Sequence, residues 1–541
     1  MDGEGGEGMG TGATGAAAAP PVRVGRAVWL SAATMSSRVL GLVRDQIFAI
    51  LVGANRYSDA FVVAFRIPNL LRDLFAEGAL SSAFVPAFAE AERRRGLEAA
   101  YRLANAVLGI VLVVVGLIVV LGAVFAEAIV AAIAPGVAAP ALAAALTRVM
   151  MPFLLLVSLA ALAMGMLNAQ ARFTAPAVAP ALFNVGSIAV GAALWAAGWP
   201  PERAVVGWAW GTMLGGVLQL GAQLPALHAL GFRARPALSR AALADPSLRR
   251  IGRLMGAAVV GLSATQVNIL VNTWFASRVE GAATWLQYAF RLMQLPLGVF
   301  GVAVATVAGA GIAQRAAARD HAAVRETLGS ALRLVAFLNV PSALGLAVLA
   351  GPIISLIYEH GRFGAEDTAA TAQALVFYAA GLYAYSGVKV LAPAFYAVDD
   401  ARVPVVGSFL GMGANVLLNA TLWPVLGFRG VALGTAAAAA VNFAVLAVGW
   451  HRRHGGLGDA GILRQLGRVL VATAVLGLAA WGAAAGLDRA LPPGGLGRQL
   501  ALGLLPVIAG GLAYALAARA LGIAELGELL GALRRRRRRR A

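Results

Sequence analysis

Several charged residues lie inside apolar stretches of this 541-residue sequence. A charged side chain at the centre of a bilayer is unfavourable by about 2.5 kcal/mol or more, so such groups normally face a wet interior. An arginine in a wet cavity needs an anion, and its planar guanidinium matches phosphate oxygens with two parallel hydrogen bonds, which lysine cannot form. These residue types therefore indicate a binding site for an anionic substrate. The residues are Arg38, Arg44, Asp45, Asp59, Arg66, Arg72, Asp73, Glu77 and Arg291.

Helical spacing predicts that one group of these charges is paired internally. Asp59, Arg66 and Asp73 recur every seven residues and share one helix face, with Glu77 one turn further on. Opposite charges alternate along that stripe. The spacing therefore predicts a salt-bridge ladder that holds helices together.

The remaining arginines predict the substrate cavity. Arg38 shares a helix face with Asp45, seven residues later. Arg44 and Arg72 lie roughly 120° away from the charged stripes of their helices, so the stripes leave them unpaired. Together with Arg291, they form a cluster of guanidinium groups with few acids nearby. We expect these four arginines to converge on one water-filled cavity.

A second group of polar residues is uncharged. Amide, hydroxyl and carbonyl oxygens one helical turn apart suit a hard monovalent cation, although hydrogen bonds between helices explain the same pattern. The residues are Asn268, Asn272, Asn415, Asn419, Val431 and Thr435.

Composition places all of these groups in a membrane. Hydrophobic residues make up 60% of the chain and charged residues 13%, against about 45–50% and roughly 25% in soluble proteins. A soluble enzyme or a nucleic-acid-binding domain is therefore excluded, despite the net charge of +19. The chain has no cysteine, and valine follows its only lysine, Lys389, which excludes thiol chemistry and a P-loop. No metal site with certain ligands is predicted, because the five histidines fall in or beside polar connections.

Apolar segments near 20 residues long recur along the chain and predict an all-α polytopic membrane protein of about fourteen transmembrane helices. Arginine-rich connections alternate with arginine-poor ones, which predicts that both termini are cytoplasmic. The predicted spans are 27–52, 60–88, 103–133, 140–169, 177–198, 204–230, 252–278, 283–314, 328–358, 367–397, 404–424, 429–450, 463–487 and 498–521.

An internal repeat divides these spans into lobes. The segment 64–95 resembles 289–320, and both begin Ala-Phe-Arg. The copies lie six spans apart, so they share one orientation and predict two parallel six-helix lobes plus two C-terminal helices. We expect the following order: a disordered leader at 1–25, an N-lobe at 26–232, a basic cytoplasmic connection at 233–251, a C-lobe at 252–450, two further helices at 463–521, and a basic tail at 522–541 that lies on the inner membrane surface.

Three long motifs resemble the MurJ (MviN) lipid II flippases of the multidrug/oligosaccharidyl-lipid/polysaccharide exporter superfamily. They are SSRVLGLVRDQIFA at 36–49, GANRYSDAFVVAFRIPNLLRDLFAEGALSSAFVPAFAE at 53–90 and QYAFRLMQLPLGVFGVA at 287–303, and AFYAVDDARVPV at 394–405 also fits. The resemblance implies fourteen spans in two lobes, and a groove for a polyprenyl tail on the last two helices.

The resemblance also implies roles for individual residues. The family's essential arginines match Arg38, Arg44, Arg72 and Arg291, which would bind a diphosphate, with Ser37, Asp45 and Asp59 in the same cavity. A sodium site of the family maps onto Asn272, Asn415, Asn419, Val431 and Thr435. Acidic residues of that site are replaced by asparagine here, Gln294 stands where many members have glutamate, and neutral ligands bind sodium weakly.

We therefore expect a monomeric lipid II flippase of the bacterial cytoplasmic membrane that works by alternating access. It would need no cofactor, and a monovalent cation or the membrane potential would drive it. One alternative is another exporter of the same superfamily, which moves a different polyprenyl-linked glycan or a cationic drug. Another is a membrane enzyme acting on polyprenyl diphosphate, for which Asp399 and Asp400 are the only adjacent acids.

Overall fold

Helices joined by short connections make up most of the chain that the computed structural model describes, which is residues 24–74, 80–240, 244–456, 461–529 and 531. No strand occurs within these ranges. The all-α prediction is confirmed. The leader at 1–23, Glu77 and the arginines at 534–540 lie outside the described residues.

The helices follow the predicted spans in chain order, although several spans consist of two consecutive helices. Those of the first half are α1 (Val24–Val52), α2 (Arg56–Leu71), α3 (Ser81–Arg95), α4 (Leu97–Val124), α5 (Ala126–Ile133), α6 (Pro140–Met150), α7 (Pro152–Ala169), α8 (Thr174–Ala196), α9 (Pro201–Gly221) and α10 (Leu224–Ala229). Those of the second half are α11 (Pro246–Ala276), α12 (Ala282–Pro296), α13 (Val302–Ala317), α14 (His321–Val348), α15 (Ala350–Tyr358), α16 (Ala365–Ala379), α17 (Leu382–Ala397), α18 (Arg402–Leu426), α19 (Phe428–His454), α20 (Gly461–Ala490) and α21 (Leu496–Ala520).

Many of these helices can cross a membrane. Within the described ranges, nine are long and apolar enough, and two bent pairs, Pro246–Ala276 and Ala365–Ala397, raise the number to eleven if each pair is one span. The predicted spans 27–52 and 204–230 are not among these helices, and the predicted span 60–88 includes residues 75–79, which the structure does not describe. Spans 27–52 and 60–88 carry most of the charged residues of the candidate site, whereas Arg291 lies in Ala282–Ala317, which is among the nine. The chain is a multi-pass membrane protein, and the count of fourteen stays a prediction.

The helices pack mainly within each half of the chain. In the first half α1 packs on α8 and α9, α2 on α6, and α4 on α3 and α7; in the second half α13 packs on α14 and α17, and α19 packs on α17 and α18. One apolar cluster contains residues of both halves, including Phe48 and Phe61 of α1 and α2 and Tyr288 and Leu292 of α12. The two halves are therefore joined through α1, α2 and α12.

Two glycines allow the halves to approach each other. Gly53 and Gly361 have φ angles of +77° and +62°, a region that L side chains rarely adopt. A Cβ atom at Gly53 would lie 2.7 Å from the carbonyl oxygen of Arg362, and one at Gly361 would lie 2.7 Å from that of Ile50. The end of α1 thus lies against the loop between α15 and α16.

The internal repeat has a structural counterpart. Residues 72–74 and residue 80 are π-helical, and so is the segment Leu297–Gly301. Arg72 and Leu297 each follow the arginine of an Ala-Phe-Arg triplet by six residues. A π-helical turn widens a helix and often marks a functional site. Both copies therefore change their helical geometry at the same point of the repeat.

The start of the C-terminal tail is folded onto the protein. Helices α20 and α21 pack on each other and on α14 and α15, and residues 524–529 form a further helical turn. Glu525 is 6% exposed, lies 3.5 Å from Arg333 of α14, and accepts a hydrogen bond from Gln465 of α20. Ile523 and Glu525 are buried against α14 and α20, so this part of the tail packs on the protein, and its location at the inner membrane surface stays a prediction.

Candidate functional site

The carboxylate of Asp45 joins an arginine of the first half to an arginine of the second half. Arg44 Nη2 lies 2.8 Å from Asp45 Oδ1, and its Nε donates to the same oxygen at 3.2 Å. On the other side, Arg291 Nε of α12 forms an ion pair with Asp45 Oδ2 at 2.9 Å. Asp45 is 6% exposed, so solvent screens these pairs only weakly. One acid thus holds two guanidinium groups together.

Aromatic residues fix the position of this group. Tyr288, one turn before Arg291, donates its hydroxyl to the backbone carbonyl of Asp45 at 3.4 Å. Its ring stacks on Tyr358 with centroids 4.4 Å apart and planes 6° apart. The Arg44 guanidinium lies 5.4 Å from the ring centroid of Phe183, within cation–π range. These contacts orient the charged groups before any substrate arrives.

Arg38 reaches the second half at a different point. Its guanidinium lies against Gly298, where a Cβ atom would overlap Nη1. Arg38 forms no ion pair with any residue that the structure describes, and it is exposed. Asp45 is paired with Arg44 and Arg291 and not with Arg38, although Arg38 and Asp45 share a helix face. The neighbouring Ser37 accepts a hydrogen bond from Asn184 through its backbone carbonyl, at 3.0 Å.

Arg72 repeats the geometry of Arg44. Its Nη2 lies 2.9 Å from Asp73 Oδ1, and its Nε donates to the same oxygen at 3.2 Å. Both arginines therefore pair with the aspartate that follows them. The expectation that Arg44 and Arg72 are unpaired is wrong, because a long arginine side chain folds back to its neighbour.

Asp59 lies at a contact between the halves and not beside an arginine. Its Oδ2 accepts from the backbone N–H of Gly281 at 2.6 Å, and its Oδ1 accepts from the N–H and hydroxyl of Thr284 at 3.0 and 2.7 Å. A carboxylate at this position caps the first turn of α12 and interacts favourably with its dipole. Since Asp59 bonds to α12 and Asp73 to Arg72, the predicted pairing of Arg66 with these two aspartates is wrong, and Glu77, the last member of the predicted ladder, lies outside the described residues.

Arg66 has an environment that the sequence analysis did not predict. Its Nε is buried and has no hydrogen-bond partner, and it forms no ion pair with any described residue. Arg66 is also the repeat counterpart of Arg291, since both end an Ala-Phe-Arg triplet. That symmetry was the available signal.

The uncharged residues form one hydrogen-bonded cluster of α11, α18 and α19. Asn419 donates to Asn272 Oδ1 at 2.8 Å and to Asn415 Oδ1 at 3.2 Å, and Asn272 donates to Thr435 Oγ1 at 2.9 Å. Thr435 in turn donates to the carbonyl of Val431 at 2.7 Å. Asn419 Oδ1 is buried without a partner. The structure brings all five residues of the predicted cation site together.

Three residues singled out from the sequence, Asn268, Asp399 and Asp400, lie outside these groups. Asn268 Oδ1 is buried without a partner and does not join the cluster. Asp400 pairs with Arg453 at 3.0 Å, and its neighbour Asp399 adopts a left-handed φ of 59°. One of the two adjacent carboxylates that the enzyme alternative requires, that of Asp400, is thus engaged by an arginine.

Comparison with known proteins identifies the family. The family model described as "Lipid II flippase MurJ" matches residues 48–494. The chain belongs to the lipid II flippase MurJ family. A "Probable lipid II flippase MurJ" of Rhizobium meliloti (strain 1021) is 35% identical over 461 residues, covering 83% of this chain and 84% of the relative. A "Lipid II flippase MurJ" of Burkholderia cenocepacia is 36% identical over 433 residues, covering 78% and 83%.

Solved structures agree on the fold of this MurJ-family chain. A structure titled "Lipid II flippase MurJ, inward closed conformation" superposes with a TM-score of 0.76 at 23% identity and covers 91% of this chain and 98% of its own. A MATE family multidrug transporter of the MOP superfamily, in an inward-facing conformation, gives a TM-score of 0.62 at 15% identity and covers 82% and 98%. The chain therefore shares its fold with both solved structures.

Proposed function

We propose that this chain is a transporter that moves lipid II, an undecaprenyl-diphosphate-linked peptidoglycan precursor, from the inner to the outer leaflet of the bacterial cytoplasmic membrane. Membership of the MurJ family supports this substrate. The observation that carries the proposal is the ion-paired group in which Asp45 joins Arg44 to Arg291. It brings two phosphate-binding side chains together, one from each half of the chain.

The chemistry of this group suits a diphosphate. Asp45 takes up Nε and Nη2 of Arg44 and Nε of Arg291, which leaves other N–H groups of both arginines for an anion. Arg38, which has no ion pair in the described part of the chain, supplies a third guanidinium, and Arg72 a fourth. A diphosphate carries more negative charge than one carboxylate, so it competes with Asp45 for the arginines. Sugars and peptide would stay in the wet cavity while the polyprenyl chain remains in lipid.

Alternating access requires that the halves move. We assign the moving lobes to residues 26–232 and 252–450, with the connection at 233–251 and both termini in the cytoplasm. The segment 463–521 would hold the polyprenyl tail, and the protein would act as a monomer. Because Asp45 and Arg291 belong to different lobes, a substrate that weakens their ion pair also weakens a contact between the lobes.

The driving force proposed is the membrane potential, which is worth about 2.3 kcal/mol per charge and 100 mV. The cluster of Asn272, Asn415, Asn419, Val431 and Thr435 offers only neutral oxygens, of which Asn419 Oδ1 is free to accept. Such a set would hold a monovalent cation weakly. We therefore expect lipid II translocation in proteoliposomes to respond to an imposed potential and to change little when choline replaces sodium.

The test replaces each of Arg38, Arg44, Arg72 and Arg291 by alanine and measures lipid II on the outer leaflet of cells depleted of their own flippase. Charge-assisted hydrogen bonds are worth about 1.5–3 kcal/mol each, so each variant should lose transport by about tenfold to a hundredfold. The matched control is Arg203→Ala, which removes an exposed arginine at the start of α9. Full transport by all four variants would refute the proposal.

Native mass spectrometry separates lipid II from other cargo. Binding of lipid II by the wild-type protein, and its loss in Arg44→Ala and Arg291→Ala, supports the assignment. If the wild-type protein binds a cationic drug and does not bind lipid II, the chain is instead a drug exporter.

A further inference from the structure

An apolar groove with an arginine-rich end lies on the second half of the molecule, away from Asp45. It has a volume of about 490 Å³ and runs between the antiparallel helices α18 and α19. Its apolar lining includes Val403, Val406, Val445 and Val448. The groove therefore offers a surface for a chain-like apolar ligand rather than for a polar one.

Three arginines line the same groove, and all lie at one end of the helix pair. Arg402 is the first residue of α18, and Arg452 and Arg453 lie in the last turn of α19. Arg453 is paired with Asp400 at 3.0 Å. Arg402 and Arg452 are exposed and form no ion pair with any residue that the structure describes. Two guanidinium groups are thus available to an anion at the end of an apolar groove.

Both helices are long and apolar enough to cross a membrane. Val406 and Val448 are 51% and 50% exposed, so the groove opens outward to where lipid lies. The arginines at the helix ends then lie at the level of the headgroups, where basic pockets between transmembrane helices bind acidic lipids. The geometry matches a phospholipid, with its phosphate at the arginines and one acyl chain along the valines.

Close approach of the two helices shapes the groove. A Cβ atom at Gly449 would lie 2.7 Å from Cγ1 of Val403, and one at Gly411 would lie 2.9 Å from the carbonyl oxygen of Ala438. Larger residues at these positions would separate the helices. Gly449 also lines the groove.

We propose that the groove between α18 and α19 is a binding site for an anionic phospholipid, recognised by Arg402 and Arg452. This site is separate from the arginines assigned to the transported substrate. Its occupant is a resident membrane lipid that stabilises the helix pair of the second half.

The test is native mass spectrometry of the purified full chain, titrated with phosphatidylglycerol or with phosphatidylcholine of the same acyl chains. The wild-type protein should retain one phosphatidylglycerol more tightly than phosphatidylcholine. The double variant Arg402→Gln/Arg452→Gln should bind phosphatidylglycerol about tenfold more weakly and phosphatidylcholine unchanged. Val406→Trp, which fills the groove and keeps the charges, should displace both lipids, and Ala444→Trp is a second variant of this kind.

The matched control is Arg249→Gln/Arg253→Gln, which removes two exposed arginines from the first turns of α11. It should leave the retained phosphatidylglycerol in place. An equal loss in this control would overturn the proposal, since the lipid would then respond only to net charge. Displacement of phosphatidylglycerol by the same concentration of glycerol 3-phosphate would also overturn it, because a free phosphate site needs no acyl chain.

Discussion

At the scale of single residues, the arginine–aspartate dipeptides organise the charges of the site. Arg44–Asp45 and Arg72–Asp73 have nearly the same geometry, with Nε and Nη2 of the arginine on one carboxylate oxygen. Only Asp45 also meets an arginine of the second half, Arg291. The Arg44–Asp45 pair is therefore also part of a contact between the lobes.

Asp45 should be necessary to keep two partly exposed guanidinium groups side by side. In Asp45→Asn, Arg44 and Arg291 repel each other without a balancing charge, and breaking a buried pair costs about 3 kcal/mol. We expect a lower midpoint of thermal unfolding in detergent and reduced transport. The double variant Asp45→Asn/Arg291→Gln removes the repulsion and should be more stable than Asp45→Asn alone. If the double variant is instead less stable by the sum of both single effects, the charge-balancing role is wrong.

Arg66 should contribute to transport and not to stability. Its buried Nε lacks a partner, so Arg66→Ala should leave the unfolding midpoint unchanged or raise it. If Arg66 meets the substrate as its repeat counterpart Arg291 is proposed to do, transport should fall by about tenfold or more. Arg66→Lys keeps the positive charge but lacks the planar guanidinium group, so it should retain only part of the transport activity. A variant with alanine that transports normally but unfolds earlier would show a structural role instead.

At the scale of elements, α2 and α12 are joined by a cap that crosses between the halves. Asp59 accepts three hydrogen bonds from Gly281 and Thr284, and the hydroxyl of Thr284 lies 2.9 Å from that of Ser58. Nearby, the backbone N–H of Arg56 donates to Glu280 at 3.1 Å. The start of α12 is thus held by the first turn of α2.

Asp59→Asn should loosen this end of the molecule. An asparagine amide cannot accept from both sides, so at least one bond to α12 is lost, at about 1–3 kcal/mol. Amide hydrogens of residues 278–286 should then exchange faster with deuterium. The control Thr147→Val removes a buried hydroxyl that bonds only to Ala143 of its own helix. Unchanged exchange in Asp59→Asn, or an equal increase in the control, would argue against a cap between the halves.

At the scale of the whole molecule, the contacts between the halves must open if access alternates. The chain has no cysteine, so two introduced cysteines can form a disulfide only with each other within the chain. In Ser58→Cys/Thr284→Cys the sulfur atoms would replace hydroxyl oxygens that are 2.9 Å apart, close enough to form a disulfide. Oxidation should abolish transport, and reduction should restore it to the level before oxidation. Each single variant treated with the oxidant is the control, and a cross-linked protein that still transports would exclude movement at this contact.

Sequence reasoning predicted much of the fold because the signals are local. Runs of apolar residues near the thickness of a bilayer specify helices, and the Ala-Phe-Arg repeat relates α2 to α12. The uncharged cluster was also predictable, because Asn415 and Asn419 are one turn apart on α18 and a buried amide needs a polar partner. The pairing of charges was not. Spacing along one helix suggested Asp59, Arg66 and Asp73 as a ladder, yet each has a different environment in the structure.

The sequence by itself determined that this is an α-helical membrane protein of the MurJ family with arginines in its first two spans. Only the tertiary structure decided that Asp45 joins Arg44 to Arg291, that Asp59 caps α12, and that Glu525 folds the start of the tail onto α14 and α20. The physical reason is that helix periodicity fixes which residues share a face but not which helix meets that face. Partners more than 200 residues apart in the chain are chosen by packing, and the reach of an arginine side chain lets it pair across or along helices alike.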